Sequence, residues 1–219
     1  MTDSQVQLTN FHSREYDNKA RFISYWHQID EVLSLQPGKL LEIGIGNKFV
    51  TTYIRDRGVQ VTTLDIDSRL YPDVLANASA IPFLDDSFDL VTCFEVLEHL
   101  PYTSFLHVLK EINRVVKSNV LLSLPDVTTV YRVYIELPRI RPIKTMINHP
   151  IPRPAADCLC GEHYWEIGMR HYPLTRIMHD IKQAGFNLLK SYRIFEFPYH
   201  RFFILTKARG NKSTSPRNI

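Results

Sequence analysis

The stretch KLLEIGIGNKFVT, residues Lys39 to Thr51, decides the fold. Leu40, Leu41, Ile43 and Ile45 form a short apolar run, the pattern of a strand buried on both faces of a parallel sheet. Gly44 and Gly46 follow at its carboxyl end, where glycine lets the backbone turn sharply and come close to a ligand. Asn47 then caps a helix carrying Phe49, Val50, Tyr53 and Ile54, which ends at Gly58 with Arg55 and Arg57 in its last turn. A second strand, Val59 to Leu64, leads into Asp65, 21 residues beyond Gly44. An acidic residue at the tip of a second strand is well placed to accept hydrogen bonds from ribose hydroxyls. The unit is therefore a strand, a glycine turn and a helix of the kind that binds nucleotide-like ligands.

Nicotinamide dinucleotides and S-adenosylmethionine both use this layout. A dinucleotide fingerprint needs a third glycine, and Phe49 stands in its place, where its side chain would obstruct a pyrophosphate at the helix start. The sequence thus favours a ligand without phosphates. Glu42-Ile43-Gly44-Ile45-Gly46, then Asp65, then ASAIPFLDDSFDLVTCFEVLEHL from Ala78 to Leu100 resembles the class I S-adenosylmethionine-dependent methyltransferases of the group labelled type 11. The resemblance runs from about Arg14 to Lys207. It departs from the family at Lys48, where a third small residue is usual.

The resemblance implies a Rossmann-like, doubly wound α/β sheet, mostly parallel with an antiparallel last strand, with helices on both faces. It also implies S-adenosyl-L-methionine as cofactor. Residue by residue it sets Glu42, Gly44 and Gly46 on the methionine and ribose side, Asp65 on the ribose, Asn77 and Ala78 on adenine, and Glu95 near the methionine amine. A helix over the cofactor supplies a further group, for which Arg21, Tyr25 and His27 qualify by type; each is equally a solvated residue of an amphipathic helix. Asn77 is also readable as a turn residue before Pro82.

Length and composition set the outer bounds. The chain has 219 residues, enough for one α/β domain, and its 44% hydrophobic and 22% charged residues are ordinary for a globular protein. No apolar run is long enough to span a bilayer and no N-terminal leader pattern is present, so the expected location is cytoplasmic. A net charge of +3 is too small to argue for nucleic acid. Residues 1–13 read as a mobile N-terminus, 14–207 as the domain with an insertion at 127–162, and 208–219 as a disordered basic tail.

Along the domain, Phe22, Trp26, Ile29 and Leu33 are spaced as the buried stripe of a first helix ended by Pro37-Gly38. Asp67 to Leu75 is a loop or short helix. Phe88, Leu90, Val91 and Cys93 make a strand that ends at Phe94-Glu95, which puts Glu95 at the carboxyl edge of the sheet. His99 is expected on the same helical side as Glu95, as a general base or an orienting group, with Glu98 solvated or a helix-start charge. Thr103 or Ser104 caps a helix packed through Phe105, Val108, Leu109, Ile112, Val115 and Val116, and Val120 to Leu124 is the next strand. Pro173 opens the last helix, and two strands follow around Leu188 to Phe197 and His200 to Thr206.

The insertion should decide the substrate. Arg139, Arg141, Lys144 and Arg153, with no acidic residue from Arg139 to Arg153, alternate with five prolines that should keep the segment out of helix and sheet. An anionic acceptor is one reading and a solvated cover loop the other, while Val130, Tyr131, Val133, Tyr134, Ile135 and Leu137 also admit a lipid-linked acceptor or contact with a membrane surface. Cys158-x-Cys160 with His149, His163 and His171 is a poor match to zinc spacing, and no metal is expected. His163-Tyr164-Trp165-Glu166 sets an imidazole, a phenol, an indole and a carboxylate side by side before the last helix. His163 or Glu166 can take a proton from an acceptor, while Tyr164 and Trp165 either exclude water or anchor the loop.

The sequence therefore reads as a methyltransferase acting on an oxygen or nitrogen of a small-molecule or carrier-linked acceptor, with His99, His163 and Glu166 as catalytic candidates, acting as a monomer or homodimer without nucleic acid. The rivals are a non-catalytic scaffold on the same fold, hinted at by Lys48, and an NAD(P)-dependent oxidoreductase, disfavoured by Phe49.

Overall fold

The computed structural model describes residues 16–148 and 162–208. The Cys158-x-Cys160 pair, His149, Arg153, the N-terminal residues 1–13 and the tail beyond 208 lie outside the described residues. Among the described residues four helices, α1 (Lys19–Leu35), α2 (Phe49–Asp56), α3 (Tyr102–Val115) and α4 (Leu174–Gln183), flank a seven-stranded sheet. Its strands are β1 (Lys39–Ile43), β2 (Gln60–Asp65), β3 (Val74–Leu75), β4 (Phe88–Phe94), β5 (Val116–Pro125), β8 (Phe186–Arg193) and β9 (His200–Lys207). They lie in the order β3-β2-β1-β4-β5-β9-β8. The first five pair in parallel, whereas β9 runs antiparallel between β5 and β8. This is the mostly parallel sheet with an antiparallel last strand that the sequence implies.

The continuous apolar strands follow from cover on both faces. Leu40 and Leu90 point to one side, where Tyr25 and Val32 of α1 and Val50 and Ile54 of α2 pack. Leu41, Ile43, Val91 and Cys93 point to the other, against Phe105, Val108, Leu109 and Ile112 of α3 and Ile177 and Ile181 of α4. Each such fully buried aliphatic side chain contributes roughly 1.5–3 kcal/mol, enough in sum to fix the strand order around the site.

Three expectations fail here. On α1 the buried residues are Ser24, Tyr25, Gln28 and Val32, while Phe22 and Trp26 are exposed. The apolar periodicity misleads because the inward face carries polar groups that find partners: Ser24 Oγ meets His200 Nδ1 at 2.8 Å and Gln28 Nε2 donates to Ser24 Oγ at 3.5 Å. Helix α3 starts at Tyr102 after Pro101, with no side-chain cap from Thr103 or Ser104. The proline-rich insertion is not kept out of sheet structure: β6 (Val130–Ile135) and β7 (Ile143–Asn148) pair as an antiparallel hairpin. Pro138 and Pro142 sit in its connection rather than in the ladder, where a missing N–H costs nothing. Asp67 to Leu75 holds a short 3-10 turn, Ser68–Leu70, and the two-residue β3.

Candidate active site

The sheet order reverses between β1 and β4, and ligands of open parallel sheets bind at such a point beyond the carboxyl strand ends. A cavity of about 460 Å³ opens there. Its two halves are built differently.

One half is the glycine turn and the tips of β1, β2 and β4. Gly44 has φ 79, and a Cβ on it would lie 2.2 Å from Val96 Cγ2, so only glycine fits. A Cβ on Gly46 would meet nothing nearer than the Tyr16 hydroxyl at 3.9 Å, which leaves that backbone open to the cavity. Asp65 ties this turn to β2: its carboxylate accepts the Ile45 N–H and the Asp67 N–H, both at 3.0 Å. The N-cap of α2 is Lys48, which makes no side-chain cap, and not Asn47 as the sequence suggests; Asn47 lies one residue earlier, where its Oδ1 accepts the Phe49 N–H at 3.1 Å and its amide donates to Asp17 at 2.9 Å and to the Tyr25 hydroxyl at 3.1 Å. Lys48 occupies a left-handed conformation, φ 64, and reaches outward to the Tyr71 carbonyl. Phe49 turns toward α1, against Phe22 and Tyr25, rather than over the helix start. Glu42 is buried beneath the turn, takes a hydrogen bond from the Thr51 hydroxyl, and burial pushes its carboxyl up to about 7.

Arg21, Tyr25, Asn77 and Ala78 all line this half. Arg21 lies over the Tyr16 ring at 3.9 Å. Asn77 Oδ1 accepts the Ser79 N–H and hydroxyl, so it shapes a turn and borders the cavity at once. His27 is elsewhere, packed on Tyr192 and Phe202.

The other half gathers residues distant in sequence. Glu95 follows β4 with φ 53, not in a helix, so its relation to His99 is set by the turn Leu97–His99 and not by helical spacing. Both still line the cavity. Burial pushes the Glu95 carboxyl up to about 8, and its Oε1 has no hydrogen-bond partner, while Oε2 lies 3.5 Å from His200 Nε2. Glu98, expected in solvent, is fully buried, faces the same cavity, and neither carboxylate oxygen has a partner. Burial raises its pKa well above the ordinary value.

The loop before α4 closes this half. Tyr164 N–H donates to the Glu98 carbonyl at 2.8 Å, and His99 Nδ1 meets the Glu162 carbonyl at 3.1 Å. His163 Nδ1 lies 2.7 Å from Glu166 Oε1, which also accepts the Tyr199 hydroxyl at 2.6 Å. The His99 and His163 rings stand edge to face at 4.7 Å. Burial, and then His163, lowers the His99 pKa to about 4, so the ring is neutral. Trp165 resolves as an anchor: fully buried, it packs on Tyr102 and Phe105 and donates to the Leu100 carbonyl at 3.0 Å. Tyr164 stays half exposed at the cavity.

Sequence reasoning missed Tyr16, Glu98, Tyr199 and His200 as cavity residues. Only Glu98 had a signal, its place in EVLEHL; Tyr199 and His200 come from the β8–β9 turn, whose position relative to β4 no local pattern encodes. The described part of the insertion reaches the cavity through Glu162, not through the β6–β7 hairpin. Lys144 of that hairpin pairs with Glu196 at 2.7 Å, and Arg132 donates to the Phe195 and Glu196 carbonyls.

Residues 41–124, which run from β1 to β5 and include the glycine turn tied to Asp65, match a family model described as a methyltransferase domain. The chain is 35% identical over 89 residues to the ubiquinone biosynthesis O-methyltransferase of Stutzerimonas stutzeri, covering 33% of this chain and 38% of that protein. It is 32% identical over 105 residues to the protein of the same name from Pseudomonas entomophila, covering 41% and 44%. The matched region is thus less than half the length of these curated relatives. A structure of the 1,6-didemethyltoxoflavin-N1-methyltransferase of Burkholderia thailandensis, with its acceptor and S-adenosylhomocysteine bound, superposes with TM-score 0.62 at 14% identity over 92% of this chain and 85% of that one, a likeness of fold. Among the described residues no helix is long and apolar enough to cross a membrane.

Proposed function

We propose that this chain transfers the methyl group of S-adenosyl-L-methionine to an oxygen or nitrogen of a small-molecule or carrier-linked acceptor. The observation that carries the reading is one cavity joining a glycine turn and Asp65 on one side to His99, His163 and Glu166 on the other. The cofactor's residues fit: Gly46 leaves open backbone, and Glu95 presents a buried carboxyl oxygen without a partner, suited to an ammonium. Gly44 and Gly46 would hold the methionine and ribose side with Glu42 beneath, Asp65 the ribose, Asn77 and Ala78 the adenine. Arg21 and Tyr25 would close over the methionine end.

When bound, the cofactor supplies a methyl group already activated on a cationic sulfur, so the protein's work is to align the acceptor and exclude water. The acceptor's nucleophilic atom would lie against His99 and His163, where its proton is drawn away as the new bond to carbon forms. Glu166 and Tyr199 hold the His163 ring for that task, and Trp165 fixes the loop from behind. The acceptor-facing side chains are carboxyl, imidazole and phenol groups, with Arg21 toward α1, and the hairpin cations lie off the cavity. This lining favours a hydroxyl- or amine-bearing acceptor over an anionic one.

The test is calorimetric titration of the purified chain with S-adenosylmethionine and S-adenosylhomocysteine, with NADH as control. Micromolar binding of the adenosyl ligands alone is expected, followed by methyl transfer to a hydroxyl or amine in an acceptor screen. Binding of NADH would favour the oxidoreductase, and binding of none would favour the scaffold.

A further inference from the structure

Glu98, His99 and His163 each offer one ligand atom, and these atoms lie within 4.8 Å of one another. We infer that these three residues form a binding site for a first-row transition-metal dication of the zinc type in the acceptor half of the cavity. The sequence expectation was the opposite, since the only metal-like spacing lay at Cys158-x-Cys160, and His163 is 64 residues from His99.

Three further observations support the site. Glu98 is completely buried, and both its carboxylate oxygens lack a hydrogen-bond partner. Leaving two polar atoms unsatisfied in the interior is costly, and a proton on the carboxyl would remove the charge without supplying partners to both oxygens. Each imidazole already uses Nδ1 elsewhere, His99 toward the Glu162 carbonyl at 3.1 Å and His163 toward Glu166 Oε1 at 2.7 Å. Those contacts occupy Nδ1 of each ring and leave the second nitrogen for a cation, which is how metal-ligating histidines are oriented by carbonyl and carboxylate partners. Finally, the loop carrying His163 is locked beside Glu98 by the Tyr164 N–H on the Glu98 carbonyl at 2.8 Å, and Tyr199 braces Glu166 at 2.6 Å.

Two imidazoles and one carboxylate suit zinc, cobalt, manganese or iron better than magnesium or calcium, which prefer all-oxygen shells. Three protein ligands leave positions open, as in catalytic rather than structural sites. All three residues line the cavity, so an open position would take an acceptor oxygen or nitrogen. That role rests on the methyl-transfer reading, whereas cation binding itself does not.

The test is titration of the metal-stripped full chain with Zn²⁺ by calorimetry and with Co²⁺ by visible absorption, no methyl donor or acceptor being present. One equivalent is expected to bind, with a cobalt spectrum of nitrogen and oxygen ligation that survives in the Cys158→Ser, Cys160→Ser double variant. His163→Ala and Glu98→Gln should each weaken binding at least tenfold, and Glu166→Gln, which meets Nδ1 of His163 and not the nitrogen left for the cation, by roughly 10–100-fold. Circular dichroism identifies any variant that fails to fold, and His163→Ala changes a loop residue, so it keeps the test open if Glu98→Gln collapses. The inference is overturned if no saturable equivalent binds, if binding disappears in the cysteine variant, or if folded His163→Ala binds as tightly as the parent. Adenosyl-ligand affinity is read on the same samples, so a failed cation site and a failed methyltransferase reading give different results.

Discussion

The two halves of the cavity differ in how the chain assembles them. The glycine-turn half draws most of its groups from Glu42 to Asp65, plus Asn77 and Ala78, at or just past the carboxyl ends of parallel strands, with Arg21 and Tyr25 of α1 beside them and Glu95 at the boundary with the acceptor half. The acceptor half draws on His99, the loop at Glu162 to Glu166, and Tyr199 and His200, from elements far apart in sequence. In the first, sheet topology sets the position of a side chain once the strand is known. In the second, position depends on how loops dock, here through the Tyr164–Glu98 backbone bond and the buried Trp165. The first is a scaffold for one ligand; the second is free to vary with the acceptor.

The sharpest way to break this contrast is His163→Ala. Because His163 touches only the acceptor half, kcat for methyl transfer should fall by roughly 10²–10⁴ while S-adenosylhomocysteine affinity stays unchanged. Calorimetry and single-turnover assays on one preparation check both; a parallel loss of adenosyl-ligand binding would join the halves that the geometry separates. Asp65→Ala is the mirror experiment. It removes the carboxylate that holds the Ile45 and Asp67 N–H groups, so adenosyl-ligand affinity should drop by roughly 10–100-fold, as for the loss of charged hydrogen bonds of about 1.5–3 kcal/mol. Unchanged affinity would remove Asp65 from the site.

What was legible in the sequence follows the same division. The apolar runs, Gly44, Gly46 and Asp65 could be read because a strand end, a turn and a helix start are local events with local residue requirements. Glu98 was missed despite its place in EVLEHL, because burial of a carboxylate contradicts residue-type expectation. The α1 stripe was read on the wrong face for a related reason: Ser24 and Gln28 point inward only because His200, 176 residues after Ser24, arrives to meet them. Prolines in the insertion were read as breakers, yet they mark the hairpin connection, a distinction that depends on which N–H groups the ladder needs.

Two pH effects lie across the boundary. Glu95 is held near 8 by burial, so below that pH its carboxyl is mostly protonated in the free protein. A ligand ammonium favours the ionised form; binding of S-adenosylmethionine should therefore release a proton, and affinity should rise with pH up to about 8 and then level off. Glu95→Gln should flatten the profile, measured by calorimetry in buffers of different ionisation enthalpy. His200 has the opposite sign in stability. Burial, then the positive Arg21, lowers its folded pKa to about 3, against an ordinary value of 6.5, so the unfolded chain binds the extra proton. Its contribution is fully present above about 6.5 and is lost as pH falls from there toward 3. Denaturant unfolding across that window should show the loss, and His200→Asn should reduce its pH dependence.

The smallest effect is expected at Lys48, where the chain departs from the methyltransferases it resembles. Lys48 sits at φ 64, a conformation that costs a side-chain-bearing residue about 1 kcal/mol, and its ammonium meets exposed Tyr71, 3.4 Å from the carbonyl and 5.6 Å from the ring centre. Lys48→Gly relieves that strain but frees the unfolded chain, so the two terms offset and stability should change by less than about 1 kcal/mol. Lys48 does not line the cavity, so adenosyl-ligand affinity should not move. A third small residue would then serve backbone conformation at the helix start rather than ligand contact. A tenfold gain in affinity with glycine would show instead that Lys48 restrains the turn from its ligand-bound shape, and the glycine-turn half would be less complete than its hydrogen bonds imply.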